Sequence, residues 1–434
     1  MRNTTVLLLS VFLCGVRSAG ADGMLDPSFG NGGLVTTTFP GMASAASVVM
    51  LPDGRAVAAG SVVLNLEFTE MAVARYLVSG ALDTTFDGDG RVTVQFPHPP
   101  PGFGSDAEAA TVLLQPDGRL VLVGTDSIFQ GRFFALARLN ADGSLDPAFG
   151  TAGLVTTANG ASAVAGLLQP DGRIVAVGQV DPFSIVAARY NADGSLDPSF
   201  GIGGQVNVPL PQGFEVGGAA LQPDGKVVIA GTYPSAPFVQ RNFALVRLLP
   251  GGALDPSFGG SGLVSSDFGL IETGRSVIVL GDGRLVLAGW RSPTTANTGD
   301  FALVRYMADG SLDTTFGSGG LATAASGVPE LPDQLIGLPN GKLLVAGFTN
   351  LFGAPKDFLQ ARLDPDGALD TSFGTGGFLR TDFNATGDEC HGVAIAGPDL
   401  LLTVGSVTSA TTFDFGLARY IATTPVELLT FEVE

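Results

Sequence analysis

Residues 25–30 read LDPSFG, and the hexapeptide returns as LDTTFD (82–87), LDPAFG (145–150), LDPSFG (196–201 and 254–259), LDTTFG (312–317) and LDTSFG (369–374). Its aspartates, Asp26, Asp83, Asp146, Asp197, Asp255, Asp313 and Asp370, lie 57, 63, 51, 58, 58 and 57 residues apart. A period of that size signals a propeller, a solenoid or an array. It decides an architecture and leaves the chemistry open.

The residues between hexapeptides follow one script. In the cleanest unit an apolar run (161–169, ASAVAGLLQ) meets Pro170-Asp171-Gly172, and a β-branched run (173–180, RIVAVGQV) follows. Then come SIVAARYN (184–191), the turn Ala192-Asp193-Gly194 and the hexapeptide with a last short strand. Turn signals this close, with Val- and Ile-rich runs between them, predict a four-stranded antiparallel meander. The first turn is PDG at 52–54, 116–118, 170–172 and 223–225, GDG at 281–283 and PNG at 339–341. The third strand repeats an arginine: Arg75, Arg138, Arg189, Arg247, Arg305, Arg362 and Arg419. No segment has helical periodicity, so the chain is expected to be all-β.

The chain opens on a hexapeptide and closes on an arginine strand. The segment 25–39 lacks three strands, and 390–422 lacks its fourth. Joining them completes a sheet and removes exposed edges. The expectation is therefore a seven-bladed β-propeller of four-stranded antiparallel blades over 22–422, its ring closed by the N-terminal strand joining the last blade, in preference to an open solenoid. The L-D-x-x-F-G, P-D-G-[RK] and [FI]-A-x-x-R-[YL] set resembles the bacterial delta-60 repeat family of exported proteins over about residues 24–422. The resemblance implies a propeller-like fold and a secreted or surface location, and it carries no catalytic residue across. The chain departs from the pattern at Asp87, which replaces the last glycine, and around Gly397-Pro398-Asp399.

Residues 1–21 read as a signal peptide, with Arg2, an apolar run from Val6 to Val16 and the Ala19-Gly20-Ala21 cleavage site. Leu13 stands where a lipoprotein signal before Cys14 needs a small residue. The apolar run is too short to span a bilayer. Cleavage removes Arg2 and Arg17 and takes the net charge from −19 to −21. That surface disfavours nucleic acid and anionic lipid as partners. Cys390 becomes the only cysteine, so no internal disulfide forms. The expectation is an exported monomer without membrane insertion. The tail 423–434 (TTPVELLTFEVE) lies beyond the last repeat and reads as a short strand packing on the ring.

A residue repeated in every unit is read first as structural. Each arginine shares a strand face with apolar residues, as in Phe134, Leu136 and Arg138, so its charge needs a partner, and the hexapeptide aspartate is the obvious one. The repeated phenylalanines (Phe29, Phe86, Phe149, Phe200, Phe258, Phe316, Phe373) are expected in the core. His98 and His391 show no metal or triad spacing, and Cys390 and His391 as strand neighbours point to opposite faces. No cofactor is expected. Calcium is the one weighed, at Asp87-Gly88-Asp89 and at Asp364-Pro365-Asp366.

The near-constant PDG and ADG turns belong to one face of the ring, and the variable connections 97–106, 232–242 and 290–300 to the other. Variable loops on a rigid scaffold carry function. Aromatics expected there, Phe103, Phe129, Phe183, Tyr233, Phe238, Trp290 and Phe352, are candidate anchors for a protein or glycan ligand. The leading expectation is a non-enzymatic binding scaffold. The alternatives are a hydrolase or lyase using acidic residues at the central channel, and a structural surface-coat protein.

Overall fold

The computed structural model describes residues 22–422 apart from 65–67, 98–105, 130, 182–183, 211–212, 236–239, 294–298, 351–353, 384–386 and 410–411. All regular structure among the described residues is β. Four-stranded antiparallel meanders span 162–209, 215–266, 271–324 and 330–381. Two further meanders, 42–94 and 106–158, join as one eight-stranded sheet through a single parallel pair, Thr69 with Asp106. The last sheet combines Asp388–Gly397, Leu400–Thr408 and Phe413–Ile421 with the N-terminal strands Met24–Leu25 and Leu34–Thr37. Leu34 pairs with Ala418 and Thr37 with Phe415.

The first strand of every unit carries a β-bulge. In the 271–324 unit it falls between Gly274 and Ser276, in the 330–381 unit between Pro332 and Gln334, and in the last sheet between Cys390 and Gly392. A bulge frees backbone donors from the ladder, and neighbouring first strands use them. Ser47 Oγ accepts from Val112 N at 3.2 Å, Ser276 Oγ from Leu335 N at 3.1 Å, and Gln334 Oε1 from Val393 N at 2.6 Å.

The core is distributed. Each seam between units holds its own apolar cluster, such as Val286, Leu303, Phe316, Leu335, Leu343 and Leu359. Phe29 and Phe39 from the N-terminal segment pack with Ala43, Tyr76, Leu402 and Phe415, which joins the first and last units in one cluster. Buried tyrosines cross the seams as well: Tyr76 donates to Thr37 at 2.9 Å and Tyr420 to Thr381 at 2.8 Å.

Candidate functional site

On the face of the constant turns, the hexapeptide works as a buried clamp. Arg189 Nε donates to Asp197 Oδ2 at 2.8 Å, its guanidinium lies 4.8 Å over the Phe200 ring, and Nη1 donates to Pro250 O of the next unit at 2.5 Å. The same arrangement recurs from Arg75 with Asp83 to Arg419 with Asp26. A second cation reaches most of these aspartates from the residue after the first turn: Arg55 to Asp83 at 2.6 Å, Arg284 to Asp313 at 3.2 Å, Lys342 to Asp370 at 2.7 Å. That partner is absent from the sequence reading, although the [RK] of P-D-G-[RK] signals it. The hydroxyl of Thr315, acting against burial and joined by Arg305 and Arg284, holds Asp313 far below its ordinary pKa.

The sixth hexapeptide position explains the departure at residue 87. Its N–H donates to the turn of the next unit, as Gly150 N does to Asp193 O at 2.8 Å, and its φ is left-handed, +52° at Gly150. Asp87 adopts φ +50° and donates to Asp142 O at 2.8 Å. Aspartate is among the few non-glycine residues that tolerate this region. At the last unit the turn is supplied by the N-terminus: Gly374 N donates to Asp22 O at 3.0 Å, and the Asp22 carboxylate pairs with Arg362. Residues 22–26 (DGMLD) therefore match the DGSLD of the turns elsewhere, so the repeat begins at Asp22, ahead of the first hexapeptide.

The opposite ends of the units break the repeat. The bulge residue of the first strand is Ala46, Ala110, Val164 or Gly217 in the first four units and then Arg275, Asp333 and His391. His391 Nδ1 lies 2.6 Å from Asp333 Oδ2, and Nε2 lies 3.7 Å from Glu389. Burial alone would lower the imidazole pKa, but the Asp333 carboxylate outweighs it and holds the ring above its ordinary value. Three positions before each bulge residue, small or aromatic side chains give way to Glu272, Glu330 and Asp388, all fully buried. Glu330 accepts from the amides of Phe301 at 3.1 Å and Ser326 at 2.5 Å. Glu272 accepts from Leu270 N at 3.2 Å, with Arg291 Nε 3.6 Å away. Desolvation pushes both glutamates up to about 7. Sequence reasoning missed these residues and set His391 aside. Their signal is the period itself: 275, 333 and 391, like 272, 330 and 388, are one repeat apart.

A pH dependence follows. A carboxyl whose folded pKa lies above its ordinary 4.5 binds its proton more tightly when folded. Its contribution to stability is full below that ordinary value and is lost as pH rises through the folded pKa. The hexapeptide aspartates, held low, act in the opposite sense at acid pH. The free energy of unfolding is expected to peak near about pH 5 and to fall toward about pH 7.5, by roughly 2 kcal/mol per glutamate after screening, and the melting temperature to fall with it. The Glu272→Gln/Glu330→Gln variant, followed by calorimetry across that range, is expected to flatten the descending limb. An unchanged limb would assign the pH dependence to other groups.

Of the aromatics expected as anchors, Phe103, Phe183, Phe238 and Phe352 lie outside the described residues. Phe129 is fully exposed and Tyr233 half-buried. Trp290, paired in register with Thr273 and Phe301, is 2% exposed, so its ring is covered rather than presented. At the two carboxylate groups weighed for calcium, the acids serve local partners. Asp89 bonds Arg91, Asp364 pairs with Lys342 at 2.9 Å, and Asp366 accepts from Ala368 N at 3.0 Å. Cys390 is fully buried and its thiol pKa is pushed up by desolvation, while His391 beside it is partly exposed. The bulge at His391 interrupts the alternation expected of strand neighbours, and both residues meet the 330–381 unit, Cys390 in the cluster of Leu344 and Phe358 and His391 at Asp333.

Six segments of the chain, 51–86, 115–149, 169–200, 222–258, 280–316 and 338–373, match a family described as a beta-propeller domain of unknown function (DUF5122). The chain is a β-propeller repeat protein. The match does not distinguish the delta-60 family from other propeller repeats. A comparison with curated proteins gives no match. Among solved structures the propeller is similar to an ulvan lyase of a new polysaccharide lyase family, 12% identical over 89% of this chain and 95% of that one, TM-score 0.51. It is also similar to a protein of unknown function from Dyadobacter fermentans, 12% identical over 90% and 100%, TM-score 0.48. A third likeness is to PorZ, a surface component of the type-IX secretion system of Porphyromonas gingivalis, 13% identical over 86% and 46%, TM-score 0.46. At these identities the likenesses speak to fold alone. No helix among the described residues is long and apolar enough to cross a membrane.

Proposed function

We propose that the chain is an exported, acidic, seven-bladed propeller that acts as a non-enzymatic binding protein, holding a protein or glycan on the face of its variable connections. The N-terminal strands close the ring in this reading, which draws support from their pairing with Phe413–Ile421 and from the cluster shared by Phe29, Tyr76 and Leu402. The functional reading rests on one observation. Clamps fix one face in every unit, whereas the first strands of three consecutive units replace small apolar residues by Arg275, Asp333 and His391. A structural role in each unit would call for the same residue in each; a polar arc on one side of the ring suits an asymmetric ligand.

The test is binding of residues 22–434 to glycan and surface-protein arrays, alongside Arg275→Ala and Phe129→Ala. Both side chains are at least partly exposed, so the variants keep the parent's melting temperature. Binding weakened tenfold or more by either variant supports the reading, and binding indifferent to both overturns it. Trp290→Ala is a poor probe, because it empties a buried site. A hydrolase or lyase is the second reading, favoured by the 2.6 Å contact of His391 with Asp333, since an imidazole oriented by a carboxylate can transfer protons. Cleavage of an array glycan, abolished in His391→Ala, would put that reading first.

A further inference from the structure

We propose that the seam between the 330–381 unit and the last sheet binds one hard divalent cation, calcium by its chemistry, on the carboxylates of Asp357, Asp382 and Asp388. One oxygen from each lies within 4.8 Å of the others. The three acids come from separate segments: Asp357 immediately before the strand Phe358–Leu363, Asp382 immediately after Phe378–Thr381, and Asp388 at the start of Asp388–Gly397. Backbone bonds hold the segments together, with Asp388 N donating to Lys356 O at 2.8 Å. Like charges this close destabilise one another unless something positive sits among them.

An independent observation points to a missing partner. Asp388 is fully buried, and its Oδ2 accepts from Phe383 N at 2.8 Å, but its Oδ1 has no hydrogen-bond partner. Leaving a buried carboxylate oxygen unpaired is costly. The equivalent Glu330, one repeat earlier, has both oxygens satisfied by amides. Arg380 pairs with Asp357, and Lys356 is committed to Glu389. Oxygen-only donors suit calcium, whose remaining positions are filled by bidentate carboxylates, carbonyls and water, and they do not suit softer metals.

The repeat strengthens the case. The preceding seams carry acids at two of these three positions, Asp267 with Glu272 and Asp300 with Glu330, and only the Asp357 seam carries all three. The site lies at the ends of the variable connections, so the ion would tie together segments that the clamps of the other face do not reach.

Calorimetric titration of the chelator-treated full chain with Ca²⁺ tests this. One ion per chain and a calcium-dependent rise in melting temperature are expected. Asp382 is exposed, so Asp382→Asn is expected to fold as the chelated parent does and to bind at least tenfold more weakly. Asp142→Asn, an exposed acid elsewhere, is expected to bind as the parent. No uptake of Ca²⁺, Mg²⁺ or Mn²⁺ overturns the site. Equal binding by Asp382→Asn and the parent also overturns it, because general attraction to an acidic surface would then suffice.

Discussion

Arg189→Leu is expected to lower the free energy of unfolding by about 3 kcal/mol or more, the usual result of removing one partner from a buried ion pair. The substitution strands Asp197, which is 4% exposed, and removes the guanidinium from the face of Phe200. It also breaks the bond to Pro250 O, by which one unit grips the next. Asp197 retains Ser199 and the half-exposed Arg173 at 3.1 Å, which keeps the loss from being larger. Arg173→Leu, by contrast, removes a mostly solvated contact and is expected to cost below about 1 kcal/mol. The double variant Arg189→Leu/Asp197→Asn should recover part of the loss, since it discards the orphaned charge. Urea melts of the three variants check this. Equal losses from Arg189→Leu and Arg173→Leu would mean that the buried clamp is no stronger than its surface partner.

The clamp was legible because repetition turns one residue into a column. A single Asp or Arg says little, but an Asp eight residues beyond an Arg in six successive units, from Arg75 and Asp83 to Arg362 and Asp370, says that they meet. The strand order was legible for a similar reason, as the turns PDG and ADG punctuate every unit at matching places. What escaped was the exception to the column. Arg275, Asp333 and His391 differ in chemistry, so no repeated residue type marks them although they stand one repeat apart, and only the structure shows that each occupies the bulge of its first strand. Trp290 escaped for another reason. It stands next to a variable connection, and proximity to a loop does not reveal that the side chain is buried.

The breaks in the repeat are not scattered. They gather between residues 267 and 391, where Glu272, Glu330 and Asp388 open three successive first strands and Arg275, Asp333 and His391 occupy the bulges. Four other units keep alanine, valine, glycine or phenylalanine at the same places. Buried acids weaken a fold that apolar residues would serve better. Their concentration in three successive units is what the proposed binding role rests on, with stability supplied elsewhere by the clamps.

Deleting residues 22–39 is expected to abolish the cooperative melt altogether. The segment contributes eighteen residues of the sequence but holds both ends of the repeat array. It supplies Leu34–Thr37, which pairs with Phe413–Ile421, and Asp26, whose carboxylate lies 2.9 Å from Arg419. It supplies Asp22 as a second carboxylate for Arg362, which also pairs with Asp370 and whose side chain has no exposed surface. It also buries Phe29 and Phe39 between the first and last units. Two buried arginines would be left short of a partner, two phenylalanines would leave the core, and Phe413–Ile421 would become an open edge. Each loss is worth about 3–5 kcal/mol by comparison with single substitutions of its kind, and their sum exceeds the roughly 5–15 kcal/mol by which most domains are stable. Asp26→Asn offers a milder version, expected to lower the melting temperature by several degrees while leaving one transition. The decisive measurement is circular dichroism on heating. A deletion variant that melts in one transition at the parent's temperature would show that the N-terminal strands decorate an array that is stable without them, and the proposed ring closure would have to be abandoned.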